Sequence, residues 1–175
     1  MFDIIKNSFK KGLVTQKIVL PEEIRSQEFE SCGLELRKTI DALYGRSLHL
    51  REVDTGSCGA CESELGALSN PLYDIQRFGI DFVASPRHAD ALIVTGPVSK
   101  NMVLALKKTF DAMPGPKFVI TVGSCTCKGG VFAQSYYTVN DISSIIGPVA
   151  LHIPGCPPEP LVIMQYLLAF LKQRP

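Results

Sequence analysis

Lys117-Phe118-Val119-Ile120-Thr121-Val122-Gly123-Ser124-Cys125 is a run of apolar and β-branched residues that stops on a glycine and then delivers a thiol. A strand with one wet face alternates apolar and polar residues, whereas a strand covered on both faces reads as continuous apolar sequence. Lys117–Val122 therefore predicts a buried strand inside a parallel sheet. The same form recurs along the chain. Ala91–Thr95 is an apolar run that ends on Gly96-Pro97. Leu48–Asp54 leads into Thr55-Gly56-Ser57-Cys58, and Val149–Ile153 leads into Pro154-Gly155-Cys156-Pro157-Pro158. Ile80–Ala84 is a further short strand.

Helical patterns separate these strands. Glu62 to Leu68 closes at Asn70-Pro71, and Met102–Met113 stops at Pro114-Gly115-Pro116. Val139–Ile146 and Glu159–Lys172 complete the set. Upstream, Phe29, Cys32, Leu36, Ile40 and Leu43 recur at helical spacing over residues 28–44, with Gly45 as a stop. Strands alternating with helices predict an α/β fold with a doubly wound, mostly parallel, flavodoxin-like sheet. The expected organisation is an N-terminal helical arm over residues 1–47 and a sheet domain over 48–175. Within the arm, Phe2, Ile5 and Phe9 share one helical face with Lys6, Lys10 and Lys11 elsewhere. Such a basic amphipathic segment suits a membrane surface, a partner subunit or simple local packing.

Bulk composition narrows the function classes. Eighteen basic residues balance seventeen acidic ones across 175 residues, with no dense basic run, which argues against nucleic-acid binding. A hydrophobic content of 46% with 20% charged residues is apolar for a small domain and predicts a permanent partner. No stretch approaches the length of a membrane-spanning helix, and the lysines near the N-terminus break any signal-peptide pattern. Six cysteines without such a signal point to a reducing compartment, where thiols serve metals or redox chemistry.

Cys58 and Cys61 form a Cys-x-x-Cys pair, Cys125 follows 64 residues later, and Cys156 a further 31. Each follows the carboxyl end of an expected strand, the edge where open parallel sheets bind ligands. A chain that returns to one place three times with a thiol is read most simply as wrapping an iron–sulfur cluster. Gly56, Gly59, Gly123, Gly129, Gly130 and Gly155 would let backbone approach it, and Pro154, Pro157 and Pro158 would stiffen the last loop. A structural zinc site also accepts four thiolates, and a thiol–disulfide pair at Cys58 and Cys61 is a further rival, though it leaves Cys125 and Cys156 without a role. Cys127 competes with Cys125 for one position, and Cys125 stands nearer the strand end. Cys32 falls on the apolar face of its helix and reads as a core residue.

Four segments carry a family resemblance: Asp54-Thr55-Gly56-Ser57-Cys58-Gly59-Ala60-Cys61-Glu62-Ser63-Glu64, then Ser85-Pro86-Arg87-His88-Ala89-Asp90 leading to Thr95-Gly96-Pro97-Val98, then Gly123-Ser124-Cys125, then Ile153-Pro154-Gly155-Cys156-Pro157-Pro158. With them the chain resembles the small, cluster-bearing subunit shared by NiFe hydrogenases and respiratory complex I, from about Val53 to Ala169. The resemblance implies one 4Fe–4S cluster held by Cys58, Cys61, Cys125 and Cys156, adjacent to the active site of a larger partner. Cys-Gly-Ala-Cys at 58–61 is similar to the hydrogenase branch, since complex I homologues carry adjacent cysteines there. The short chain looks like the membrane-bound, energy-converting type similar to formate hydrogenlyase. The resemblance thus implies an electron-transfer oxidoreductase subunit whose catalytic metals lie on a NiFe-type large subunit. A ferredoxin-like cluster subunit and membrane-embedded ion-translocating subunits would complete the assembly, on the cytoplasmic side of the membrane and peripheral to it. The alternatives are the equivalent subunit of a complex I-like quinone- or sulfane-reducing complex without nickel, and, from a different class, a zinc-stabilised interaction module.

Further residues carry weaker expectations. The resemblance makes Glu64 part of a proton or interface network, against the plain reading of a glutamate favoured by the helix dipole. Arg87 is a candidate for the partner interface near the cluster, against a solvated loop residue. Glu62 reads as solvated or capping, His88 as a loop residue, His49 and His152 as core or edge residues, and Tyr136 and Tyr137 as packing residues.

Overall fold

A computed structural model describes residues 27–139 and 141–174; the amphipathic segment expected over residues 1–20 lies outside them. The elements in chain order are α1 (Gln27–Tyr44), β1 (Leu48–Asp54), α2 (Ala60–Leu68), β2 (Ile80–Phe82), β3 (Ala91–Thr95), β4 (Val98–Ser99), α3 (Val103–Ala112), β5 (Phe118–Val122), α4 (Ser124–Lys128), β6 (Thr138–Val139), α5 (Ser143–Ile146), β7 (Leu151–Ile153) and α6 (Pro160–Lys172). Five of the strands form one sheet in the order β2-β1-β3-β5-β7, every pair parallel. The order reverses between β1 and β3, which opens a crevice at their carboxyl ends. The expected α/β sheet with helices on both faces is therefore present.

All five residues of β3 and all five of β5 are buried, which is why neither strand alternates. On one face α1, α2 and α6 press Leu36, Ile40, Leu65, Leu68, Leu167 and Leu171 against Leu48, Leu50, Ile93 and Ile120. On the other, Leu106 of α3 with Ile142 and Ile146 covers Leu92, Val94 and Val119. Each such side chain contributes roughly 1.5–3 kcal/mol by leaving water.

Gly33 of α1 marks the tightest helix contact, because a Cβ there would stand 2.5 Å from the buried Phe78 ring. Alanine improves helix propensity by about 1 kcal/mol, but forcing a methyl group into a filled core costs about 1–3 kcal/mol. Overpacking wins, so Gly33→Ala is expected to lower Tm by several degrees in thermal unfolding. An unchanged or raised Tm would show that Phe78 has room to move.

The register does most to place the cysteines. Asp54 pairs with Thr95, Thr95 with Val122, and Val122 with Ile153. Four strands thus end level, and the loops after them leave one edge together. Several local features differ from the sequence reading. The segment 98–99 pairs with 138–139 as a two-residue antiparallel ribbon, β4–β6, so the helix expected from Val139 begins at Ser143. Helix α2 starts at Ala60, before Glu62, and α4 replaces an expected loop at Ser124–Lys128.

Candidate metal centre at the carboxyl edge of the sheet

After β1, Asp54 turns the chain by accepting the N–H groups of Gly56 and Ser57 on Oδ1, both at 2.8 Å. Thr55, wholly buried, donates its hydroxyl to the Thr95 carbonyl at 2.7 Å and ties this loop to the end of β3. Gly59 then adopts a φ of +83 and begins α2, which puts Cys61 in the first helical turn. The positive end of a helix there favours a thiolate or any anion it holds. Ser57 Oγ accepts the Gly59 N–H at 2.9 Å and donates to Glu62 Oε2 at 2.7 Å. Glu62 is thus bound to the loop that precedes its own helix rather than solvated.

The other two thiols come from loops stitched to each other. Ser124 N–H donates to the Gly155 carbonyl at 2.7 Å, and Gly155 N–H donates to Ser124 Oγ at 3.2 Å. Cys125 follows in the first turn of α4, and Cys156 follows Gly155. Gly123 lies beside Cys61, Cys125 and the Gly155 carbonyl. A Cβ built on it would meet Cys61 Sγ at 2.7 Å, Cys125 Sγ at 3.8 Å and the Gly155 carbonyl at 3.8 Å.

Cys61 is buried, Cys125 is half-buried, and Cys58 and Cys156 are exposed. Burial first, then the charges of Cys125, Glu62, Cys58 and Cys156, push the Cys61 thiol up to about 12. Burial likewise raises Cys125, with Cys156 and Cys58 adding to it. Each of the four thiols must lose its proton to bind a cation, so a metal here would have to overcome the raised proton affinity of Cys61 and Cys125. Among the described residues no three histidine, cysteine, aspartate or glutamate side chains are grouped closely enough to hold a single metal ion. A tetrahedral zinc with Zn–S bonds of about 2.3 Å would require its four sulfurs within about 4 Å of one another. The donor set, four thiols with no histidine or carboxylate among them, is one that an iron–sulfur cluster takes.

The remaining expected residues fall elsewhere. Glu64 is half-buried on α2, one turn beyond the Cys61 position. Arg87 is exposed in the turn Pro86–His88, whose Ala89-Asp90 extension leads into the amino end of β3. It shares that edge with His49, whose Nδ1 lies 3.1 Å from the His88 carbonyl, and with Asp90, which accepts from Arg46 at 2.7 Å. The structure brings the four cysteines to one edge and leaves Arg87 at the opposite one, about 20 Å away along seven strand residues. His152 is half-buried with its Nδ1 3.0 Å from Thr121 Oγ1, and burial lowers its pKa. Tyr136, expected to pack, is 89% exposed, its ring edge-on to Tyr137. Glu52 escaped the sequence reading. The available signal was an acid at the third alternate position after Leu48 and Leu50, on the face that those two leucines bury.

The sequence model for the "NADH ubiquinone oxidoreductase, 20 Kd subunit" matches residues 58–170, a span that runs from the first cysteine of the site past the last. The chain belongs to this family. Among its relatives, the probable membrane-bound hydrogenase subunit mbhJ of Pyrococcus furiosus is 42% identical over 74% of this chain and 77% of its own length. Formate hydrogenlyase subunit 7 of Escherichia coli is 43% identical over 66% of this chain, which spans 45% of that relative. In a solved structure of the membrane-bound sulfane sulfur reductase, an archaeal respiratory membrane complex, one chain superposes with a TM-score of 0.63 at 30% identity, over 73% of this chain and 70% of that one. A chain of a [NiFeSe]-hydrogenase from Dm. baculatum shares the fold at a TM-score of 0.51 and 16% identity, over 71% and 62%. Among the described residues no helix is long and apolar enough to cross a membrane.

Proposed function

We propose that this chain is the electron-transfer subunit of a membrane-bound NiFe hydrogenase complex, an oxidoreductase subunit with one 4Fe–4S cluster held by Cys58, Cys61, Cys125 and Cys156. The observation that carries the reading is the level ending of β1, β5 and β7, which gathers three cysteine loops around Gly123. A bound cluster supplies a one-electron relay. The chain's own part is to hold four thiolates in a fixed frame, aim two helix amino ends at them, and cover Cys61 from water. Cys58 and Cys156 are left open on the outside, where a partner could close the site.

Partner contact is supported by apolar exposure beyond Cys125. Val131 and Tyr136 are 91% and 89% exposed, with Phe132 beside them in sequence at 37%. An apolar surface of this kind is normally covered, and on this reading a NiFe-type large subunit covers it. A ferredoxin-like cluster subunit would feed electrons, and membrane-embedded subunits would convert redox energy into ion movement. The chain would then sit peripherally on the cytoplasmic side. Residues 48–175 would form the cluster-binding unit and 1–47 the arm. Glu64 and Arg87 are retained as interface or proton-network residues, Arg87 for the far edge.

The 30% identity to a subunit of the sulfane sulfur reductase favours one second reading, a related complex whose large subunit lacks nickel. Metal analysis of the complex purified with its natural partners separates the two, when iron, nickel and zinc are counted beside a hydrogen-evolution assay. Iron with nickel and hydrogen turnover is the expected result. Iron without nickel moves the chain to the second reading, and zinc alone removes the cluster from it.

A further inference from the structure

The four thiols of the site are anchored in two different ways. Cys61 and Cys125 stand in the first turns of α2 and α4, where a helix fixes their backbone. Cys58 and Cys156 are exposed and lie outside any helix or strand. Cys156 follows β7, a three-residue strand at the edge of the sheet with a neighbour on one side only. Exposed loop backbone of this kind opens at low cost, so these two ligands need a further hold.

In both loops a serine hydroxyl provides it. Ser57 Oγ accepts the N–H of Gly59, the residue after Cys58, at 2.9 Å, and donates to Glu62 Oε2 at 2.7 Å. Ser57 is itself wedged against the turn after β3, since a Cβ on Gly96 would stand 2.5 Å from Ser57 Cβ. Ser124 Oγ accepts the N–H of Gly155, the residue before Cys156, at 3.2 Å, and donates to the Gly155 carbonyl at 3.1 Å. Gly155 has a φ of +145, and a Cβ on it would meet Pro158 N at 2.5 Å. The Cys156 loop is thus folded tightly on itself, and Ser124 ties that fold to the start of α4.

We propose that Ser57 and Ser124 are positioning residues for the two exposed ligands, Ser57 for Cys58 and Ser124 for Cys156. The inference rests on the cluster reading above. Each hydroxyl holds the peptide N–H of a glycine next to a cysteine, and through that peptide group it holds the sulfur. Groups that orient ligands in this way act on a metal site without touching the metal. Loss of one hydrogen bond of ordinary net strength raises the fraction of time that the ligand spends detached by about tenfold.

The test is alkylation of the purified complex by iodoacetamide, which reacts far faster with a free thiolate than with one bound to metal. Peptide mass identifies each labelled cysteine. In Ser124→Ala, Cys156 is expected to label about tenfold faster than in the native complex, while Cys58 keeps its native rate. In Ser57→Ala the pattern should reverse, with Cys58 faster and Cys156 unchanged. Ser124→Thr keeps a hydroxyl and should return Cys156 to its native rate. Native rates in the alanine variants, equal acceleration of both cysteines in either one, or no rescue by threonine overturns the proposal. Hydrogen exchange on the native complex gives a reading independent of any variant: the Gly59 and Gly155 amides should be protected, and exchange at the rate of open chain counts equally against it. Failure of the underlying reading looks different, as a native complex that holds no iron.

Discussion

Cys61→Ser is expected to strip most of the iron from the complex and to abolish the reduced-cluster signal. Cys61 is the most enclosed of the four thiols, 6% exposed, in the first turn of α2 and against Gly123. A serine hydroxyl is a harder and far weaker ligand than a thiolate, and the site is too dry for water to replace it. The buried hydroxyl left behind costs a further amount of about 1–3 kcal/mol if unpaired. Because ligand binding here is also folding energy, Tm should fall together with iron content. Cys156→Ser should have the same sign with a smaller loss of stability, since that residue is exposed. Cys127→Ser should leave iron and signal intact. A Cys61→Ser complex with full iron and an unaltered signal would remove Cys61 from the ligand set, and loss of iron in Cys127→Ser would give the third position to Cys127.

Gly123→Ala is expected to damage the site nearly as much without touching a ligand. Its φ of +98 lies in the region that side chains avoid, at a cost of about 1–3 kcal/mol. The added Cβ would also stand 2.7 Å from Cys61 Sγ, so the thiol has to move. Such overpacking adds roughly 1–3 kcal/mol, and the displaced sulfur no longer meets the other three at the right spacing. Iron content per complex should drop at least several-fold. Gly59→Ala is the matched control, because its φ of +83 is comparable but a Cβ there meets nothing within 4 Å. That variant should lose stability and keep its iron. Equal iron loss in both would assign the effect to backbone strain rather than to contact with Cys61.

Much of the architecture was legible along the chain because burial on both faces leaves a mark. Ala91–Thr95 and Phe118–Val122 are apolar throughout and prove to be wholly buried. The cysteine loops were legible for a related reason, since each begins where such a run stops on glycine or proline. Finer features were not. Strands of two residues, such as Val98–Ser99 and Thr138–Val139, are too short to show a period, and their pairing joins residues about forty positions apart. The starts of α2 and α4 were misplaced because glycines of positive φ, at Gly59 and Gly123, let helices begin inside motifs that read as loops. Tyr136 read as a packing residue on its aromatic character alone, yet it projects outward.

Residue order alone thus settles which thiols exist, which strands are buried, and that each thiol follows a strand end. Those facts are local, written in hydrophobic runs and in the glycines that end them. The meeting of the thiols is not local. It depends on Asp54, Thr95, Val122 and Ile153 standing level across the sheet, a register set by packing among residues a hundred positions apart.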